Sequence, residues 1–178
     1  MAISTIAGVG AGSSGTIVTT GTPQSGSILQ VQSFQLTGGV ATTTASMTAT
    51  GLTVNITPRF STSKILVMTN MSVGDNTNNV GAAFSIYRNG SAVGNSTAST
   101  TVNFGTAFVC INNNHAYAVT QTYLDSPATT STLTYAIYWQ AQTGGATVLL
   151  NRSNALNGGT DTYQGGYTSS ITVMEVAA

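Results

Sequence analysis

The sequence predicts an all-β fold, namely an antiparallel β-sandwich of the jelly-roll kind with a short extended arm at its N-terminus. From residue 28 onward, apolar residues recur at every second position, as they do on one face of a pleated strand. Gly, Asn and Ser turns separate these runs, and no window keeps the apolar spacing of an amphipathic helix. Many short strands joined by such turns are typical of a sandwich.

The first half of the chain contains three clear strand signals. In GLTVNIT, Leu52, Val54 and Ile56 share one face, and Pro58 ends the run because it cannot donate to a strand ladder. KILVMTNMSV, residues 64–73, predicts a longer, more apolar strand in a central position, covered on both faces for part of its length. AAFSIYRNGSAVG predicts a hairpin, because Asn89-Gly90 supplies the two positive φ angles of a type I′ turn.

The second half continues the pattern. GTAFVCIN and AYAVTQTYL predict strands on either side of an Asn-rich turn at residues 112–114. GGATVLLN and SSITVMEVA complete roughly nine strands. In LTYAIYWQAQ, one face is predicted to carry Leu133, Tyr135, Ile137, Trp139 and Ala141.

Two segments follow from composition, an arm at residues 1–27 and a sandwich domain at residues 28–178. The arm is rich in Gly, Ser and Thr, with one short apolar island at Ile17 and Val18. One interpretation is a disordered leader. The other is a tether that becomes ordered against a neighbouring surface, with Ile17 and Val18 pairing as a small added strand.

Charge depletion excludes several classes of function. Charged residues make up 4% of the chain, against about 25% in ordinary domains, and the formal net charge is zero. With four scattered basic residues there is no basic stripe, so we expect no nucleic-acid partner. We also expect no secretion signal and no membrane span. The single cysteine, Cys110, excludes an intrachain disulfide and is predicted to be a buried small hydrophobe.

Catalytic and metal sites lack partners in this sequence. His115 is the one histidine, and a Cys110–His115 dyad is disfavoured because positions five apart on a strand face opposite sides. Asp75, Asp125 and Asp161 have the contexts of turn-forming residues, whereas Glu175 suggests a sheet-edge or subunit contact with an arginine. No zinc or calcium spacing is present, so we expect no enzyme activity, metal or cofactor.

One aromatic loop remains as a candidate recognition site. Tyr163 and Tyr167 flank Gly165-Gly166 in DTYQGGYTS, and the two rings could meet a sugar or a protein surface. The alternative is a packed loop whose tyrosines cover one end of the sandwich.

Three stretches carry a resemblance to a known class of proteins: TGLTVNITPRFSTSKILVM, YLDSPATTSTLTYAIYW and the ending TSSITVMEVAA. Their order and spacing resemble a β-sandwich module of virion proteins from tailed bacteriophages, notably those of cyanobacteria and marine bacteria. The resemblance covers roughly residues 28–178 and does not extend to the arm. It implies a non-enzymatic surface protein, often trimeric, used in capsid decoration or in fibres.

Two functions follow from this resemblance. The first is a capsid decoration (cement) protein, a homotrimer that binds the major capsid protein or another virion protein on the particle exterior after assembly in the host cytoplasm. The alternative is a receptor-binding tail-fibre or head-fibre module that recognises a host surface glycan or protein. We expect the first, because a chain of 178 residues has no long shaft to hold a fibre tip away from the particle.

Overall fold

The computed structural model describes residues 23–75, 80–96, 105–111, 115–153 and 166–178. These ranges contain eleven β-strands and no helix, which confirms the predicted all-β class. In chain order the strands are β1 (Ile28–Leu36), β2 (Val40–Thr42), β3 (Thr48–Ile56), β4 (Lys64–Asp75), β5 (Val80–Arg88), β6 (Ser91–Val93), β7 (Ala107–Ile111), β8 (Ala116–Asp125), β9 (Leu133–Ala141), β10 (Val148–Leu150) and β11 (Ser169–Val176).

The first sheet is built around β4. On one edge, β4 pairs with β11 and, further along, with β10; on its other edge it pairs with β8. Beyond these, β1 pairs with β11 and β2 pairs with β10. All of these pairings are antiparallel. The central position predicted for β4 is therefore correct.

The second sheet is built around β5 and β9. These two strands pair with each other, β3 pairs with the free edge of β9, and β6 and β7 share the other edge of β5. The β3–β9 ladder shifts register between Ala49 and Thr53, where Gly51 has a φ of 86°. A positive φ of this size favours glycine at the irregularity.

The two sheets together have the strand order of a jelly roll. Three pairs of strands each lie one after the other along the same side of a neighbouring strand, so each pair counts as one interrupted strand. These pairs are β1 with β2, β6 with β7, and β10 with β11. Eleven strands minus three interruptions leaves eight. When these eight are renumbered 1 to 8 in chain order, their spatial orders are 1-8-3-6 in the first sheet and 2-7-4-5 in the second. Eight antiparallel strands in two packed sheets define this architecture, so the predicted sandwich is confirmed.

The core lies between the sheets and is formed by alternate residues. Leu52, Val54 and Ile56 of β3 are buried, as the pattern predicts. The predicted face of β9 is also buried: Leu133, Tyr135, Ile137, Trp139 and Ala141. Against it pack Phe84 and Ile86 of β5 and the inward residues of β4 and β11. Burial of apolar side chains from both sheets is what stabilises their packing.

The β5–β6 hairpin has the predicted turn. Asn89 and Gly90 have φ angles of 49° and 81°, and Arg88 pairs with Ser91 across a two-residue loop. Two positive φ angles are those of a type I′ turn, which suits the twist of the flanking strands.

The described chain enters the sandwich beside its own C-terminus. The N–H of Gly26 donates to Ala177 O at 2.8 Å, and the N–H of Ala177 donates to Ser27 O at 2.9 Å. Ile17 and Val18 lie outside the described residues. Among the residues that are described, no helix is long and apolar enough to cross a membrane.

Cys110 is exposed, so the prediction of a buried cysteine is wrong. Ile111, the next residue of β7, is buried, and Cys110 therefore points out of the sandwich. The phase of the strand decides this, because successive side chains alternate between the two faces.

We expect one thiol per chain to react with Ellman's reagent in the folded protein without denaturant, because Cys110 is exposed. A Cys110→Ser variant should give no colour. A thiol that reacts only after unfolding would contradict this placement.

Candidate functional site

A partly buried ion pair joins the two sheets at one end of the sandwich. Asp125, the last residue of β8, accepts two hydrogen bonds from Arg88 Nη1, at 2.8 Å to Oδ1 and 2.7 Å to Oδ2. The hydroxyl of Tyr135 donates to Asp125 Oδ2 at 2.6 Å. Arg88 and Tyr135 belong to the second sheet and Asp125 to the first, so the cluster holds the sheets together. Burial raises the pKa of Tyr135, and its hydrogen bond to Asp125 raises it further.

The turn role predicted for Asp125 accounts for one of its contacts. The N–H of Ser126 donates to Asp125 Oδ1 at 2.9 Å, as in a turn-forming aspartate. The ion pair was not predicted from the sequence. A signal existed, because Arg88 is in phase with Phe84 and Ile86, which places an arginine on the inward face of its strand.

Glu175 forms a second buried polar cluster and corrects another prediction. It is fully buried in β11, between β1 and β4, and is not at a sheet edge. Its oxygens accept from the backbone N–H of Arg59 at 2.7 Å, the N–H of Phe60 at 3.3 Å and Gln30 Nε2 at 2.6 Å. The expected contact with an arginine exists, but it is made by the backbone. Burial alone would raise the pKa of Glu175, and these hydrogen bonds outweigh it, so the pKa is lowered.

Asp75 is buried, and the described residues offer it no comparable set of donors. It ends β4 with no exposed surface, although its sequence context indicated a turn. Within the described residues, neither carboxylate oxygen has a hydrogen-bond partner. Burial raises the pKa of Asp75 to about 6, and the nearby backbone N–H of Val80 offsets only part of that effect.

Asp75→Asn should therefore stabilise the protein at pH 7.5 by about 2 kcal/mol. The folded-state pKa lies above the unfolded value, so folding becomes less favourable as the pH rises from about 4 to about 6. Asparagine removes that charge and keeps the shape. Denaturant unfolding at pH 7.5 and pH 4 measures the effect, which should nearly vanish at the lower pH. A variant less stable than wild type at pH 7.5 would mean that the carboxylate is compensated.

The other candidate chemical groups lie apart. Cys110 points outward from the second sheet, whereas His115 precedes β8 of the first sheet and is exposed, with its ring centroid 6.4 Å from that of Tyr117. In the described part of the chain, no three His, Cys, Asp or Glu residues are close enough to hold a metal ion. Asp161 lies outside the described residues.

Of the two tyrosines in the predicted recognition loop, the structure describes Tyr167. Its side chain is 38% exposed, and its N–H donates to Asn151 O at 2.9 Å. Asn151 is itself buried, and its Nδ2 donates to Leu36 O and Gly38 O. Hydrogen bonds therefore hold the backbone of Tyr167 in place. Tyr163 lies outside the described residues, so the pairing of the two rings stays a prediction.

The outer face of the first sheet is the larger candidate surface, which we call the β4 face. One row across four strands is apolar: Val31 pairs with Met174, Met174 with Leu66, and Leu66 with Leu124. Val31 and Leu124 are each 49% exposed. Sequence reasoning missed this row, since strand order was needed to align it.

The rows on either side of this apolar row differ in character. Next to it lies the row Ser33, Thr172, Met68 and Thr122, in which Met68 is 41% exposed. Further along follows an uncharged polar row of Gln35, Ser170, Asn70 and Thr120. On the other side, Ile28 pairs with Val176, and Val176 pairs with Lys64. Lys64 is the one charged side chain in these four rows.

A shallow groove of about 340 Å³ runs across the β4 face. Met68 and Met174 supply its apolar wall, and hydroxyl and amide side chains, among them Thr120, Ser170 and Asn70, supply the rest. Such a lining can accept an apolar side chain while its polar groups remain hydrated.

The outer face of the second sheet carries an aromatic pair. The rings of Tyr87 and Tyr138 are stacked, with centroids 3.8 Å apart and an interplanar angle of 15°. Both side chains are half-buried.

Comparisons with known proteins identify no family. No family model and no curated protein matches the chain. Solved structures that are similar include that of the infectious bursal disease virus Gx strain, with a TM-score of 0.44, 8% identity and coverage of 84% of this chain and 37% of the other. T=1 particles derived from infectious bursal virus have a TM-score of 0.41 and 9% identity, with coverage of 85% of this chain and 37% of the other. The VP2 subviral particle of infectious bursal disease virus has a TM-score of 0.37 and 7% identity, with coverage of 85% of this chain and 42% of the other. The chain thus spans less than half the length of these proteins.

Proposed function

We propose that the protein is a non-enzymatic structural protein of a tailed-bacteriophage virion, a capsid decoration protein that binds the capsid exterior as an oligomer and stabilises it. The observation that carries the proposal is the β4 face, a broad surface with apolar rows and a single charged residue, Lys64, at its margin. Contact with other protein surfaces would bury apolar area there with little cost for desolvating ions. The resemblance of residues 28–178 to phage virion modules supports the same role.

Two of the three side-chain carboxylates among the described residues fit a structural role. Asp125 and Glu175 are both engaged in contacts that hold distant strands together. These two residues lie in two of the three stretches that resemble virion modules, so those stretches contribute to the stability of the sandwich.

Residues 1–27 are proposed to be the tether to the particle, with Ile17 and Val18 as its contact residues. The polypeptide enters the sandwich beside its C-terminus, so an arm that precedes it would leave from one end of the domain. A homotrimer would bind through three arms, and later arms would bind at high effective concentration once the first is attached. The major capsid protein is the proposed partner.

Binding to capsids lacking the protein tests this function. Recombinant protein should sediment with such capsids, and an Ile17→Ser/Val18→Ser variant should keep the fold but bind more weakly. Protein that coats host cells and ignores undecorated capsids would overturn the proposal.

The second candidate is a receptor-binding fibre module that recognises a host glycan or protein. Exposed Tyr167 and the half-buried Tyr87–Tyr138 pair favour it, because aromatic rings form the apolar part of many binding surfaces. Binding to host cells that is lost in Tyr167→Ala would support this candidate.

A further inference from the structure

We infer that the β4 face is the surface through which copies of this chain contact one another. This inference rests on the oligomeric form in the proposed function and names the surface that would make it. The occupant of the face is thus a second copy of the same chain.

The position of the apolar residues is the first argument. Four of the exposed large hydrophobic side chains among the described residues lie on this one face: Ile28, Val31, Met68 and Leu124, which are 58%, 49%, 41% and 49% exposed. The strand register brings them into adjacent rows and thereby makes one continuous patch. Single exposed hydrophobic residues are ordinary, but a continuous patch indicates an interaction surface.

Charge is the second argument, and it favours a second copy over a different protein. Near a symmetry axis each residue meets its own equivalent in the neighbouring copy, so a charged residue there would face the same charge. The β4 face has Lys64 as its one charged side chain, and Lys64 lies in the outermost row, beside Val176. The rows from Val31 to Gln35 contain none, so they can meet identical rows without repulsion.

Area is the third argument. Four strands spaced about 4.8 Å apart, over about 25 Å of strand length, present roughly 500 Å² of sheet surface. Two copies packed face to face, as in a twofold dimer, would together bury about 1,000 Å², which reaches the lower limit for a specific interface; in the proposed homotrimer each copy would divide this face between its two neighbours. The groove between Met68 and Met174 adds shape complementarity to this contact, because an exposed apolar side chain of the other copy, such as Leu124, could insert into it.

Solution mass is the first test. Light scattering coupled to size exclusion should give a multiple of the 18.1 kDa chain mass for the wild type. Met68→Lys and Leu124→Lys should each shift the mass to that of a single chain, because each places a charge against its own copy. The matched control is Ala49→Lys, which adds the same charge on the exposed β3 edge of the second sheet and should leave the oligomer intact.

Hydroxyl-radical footprinting supplies a readout that needs no substitution. Oxidation of Met68 and Met174 should fall severalfold between dilute and concentrated wild-type protein, whereas oxidation of Met47, between β2 and β3, should not change. A wild type that stays monomeric at all concentrations would overturn the inference. The inference would also be overturned if both lysine variants remained oligomeric. It would be overturned likewise if Met68 stayed fully oxidisable in the oligomer. Failure to bind capsids would count against the proposed function alone.

Discussion

Asp125→Ala should lower the free energy of unfolding by about 2–3 kcal/mol at pH 7, because it leaves the buried Tyr135 hydroxyl and the partly buried Arg88 guanidinium without their shared acceptor. Tyr135 is fully buried, so water replaces its lost contact poorly, whereas the Arg88 side chain is 31% exposed and is partly rehydrated. Urea unfolding followed by tryptophan fluorescence measures the loss, since Trp139 lies in the same core.

A double-mutant cycle makes this test specific. Arg88→Ala should also destabilise the protein, and the double variant should lose less than the sum of the two single losses, because the charges depend on each other. Thr48→Ala, at an exposed position, serves as the control and should change stability by less than about 0.5 kcal/mol. Two single losses that simply add would show that the pair is not coupled.

Glu175→Ala should cost about 3 kcal/mol at pH 7, since it removes one acceptor that serves three donors. The loss would loosen the segment after β3, whose backbone N–H groups at Arg59 and Phe60 would be left unpaired. Thermal unfolding measured at several pH values is the appropriate experiment.

The pH dependence separates the charge of Glu175 from its shape. Its pKa is lowered in the folded state, so its contribution is complete above the ordinary glutamate pKa and is lost as the pH falls through the lowered value. The stability difference between wild type and Glu175→Gln should therefore shrink from about pH 4.5 downward. A difference independent of pH would show that the charge contributes nothing.

The parts of the fold that could be predicted are those set by local periodicity. The inward faces of β3 and β9 follow from alternation alone, and so does the Asn89-Gly90 turn. Roughly nine strands were predicted and eleven are described, because β1 and β2 were not singled out. The register of β1 shifts between Ile28 and Gln30, which interrupts its period, and β2 is three residues long and too short to show one.

The polar clusters could not be predicted because their partners are far apart in the chain. Asp125 lies 37 residues from Arg88, and Glu175 lies 116 residues from Arg59. Local context described Asp125 as a turn-former, which is correct for its bond to Ser126 and omits the ion pair. The β4 face was hidden for the same reason, since its apolar row draws one residue from each of four strands.

The proposed role predicts how many copies of this chain each particle contains. A decoration protein covers a capsid lattice, whereas a fibre module is present at a few sites. Quantitative mass spectrometry of purified particles, calibrated on the major capsid protein, measures that number. The account predicts hundreds of copies of this chain per capsid, and a count of a few dozen or none would contradict it.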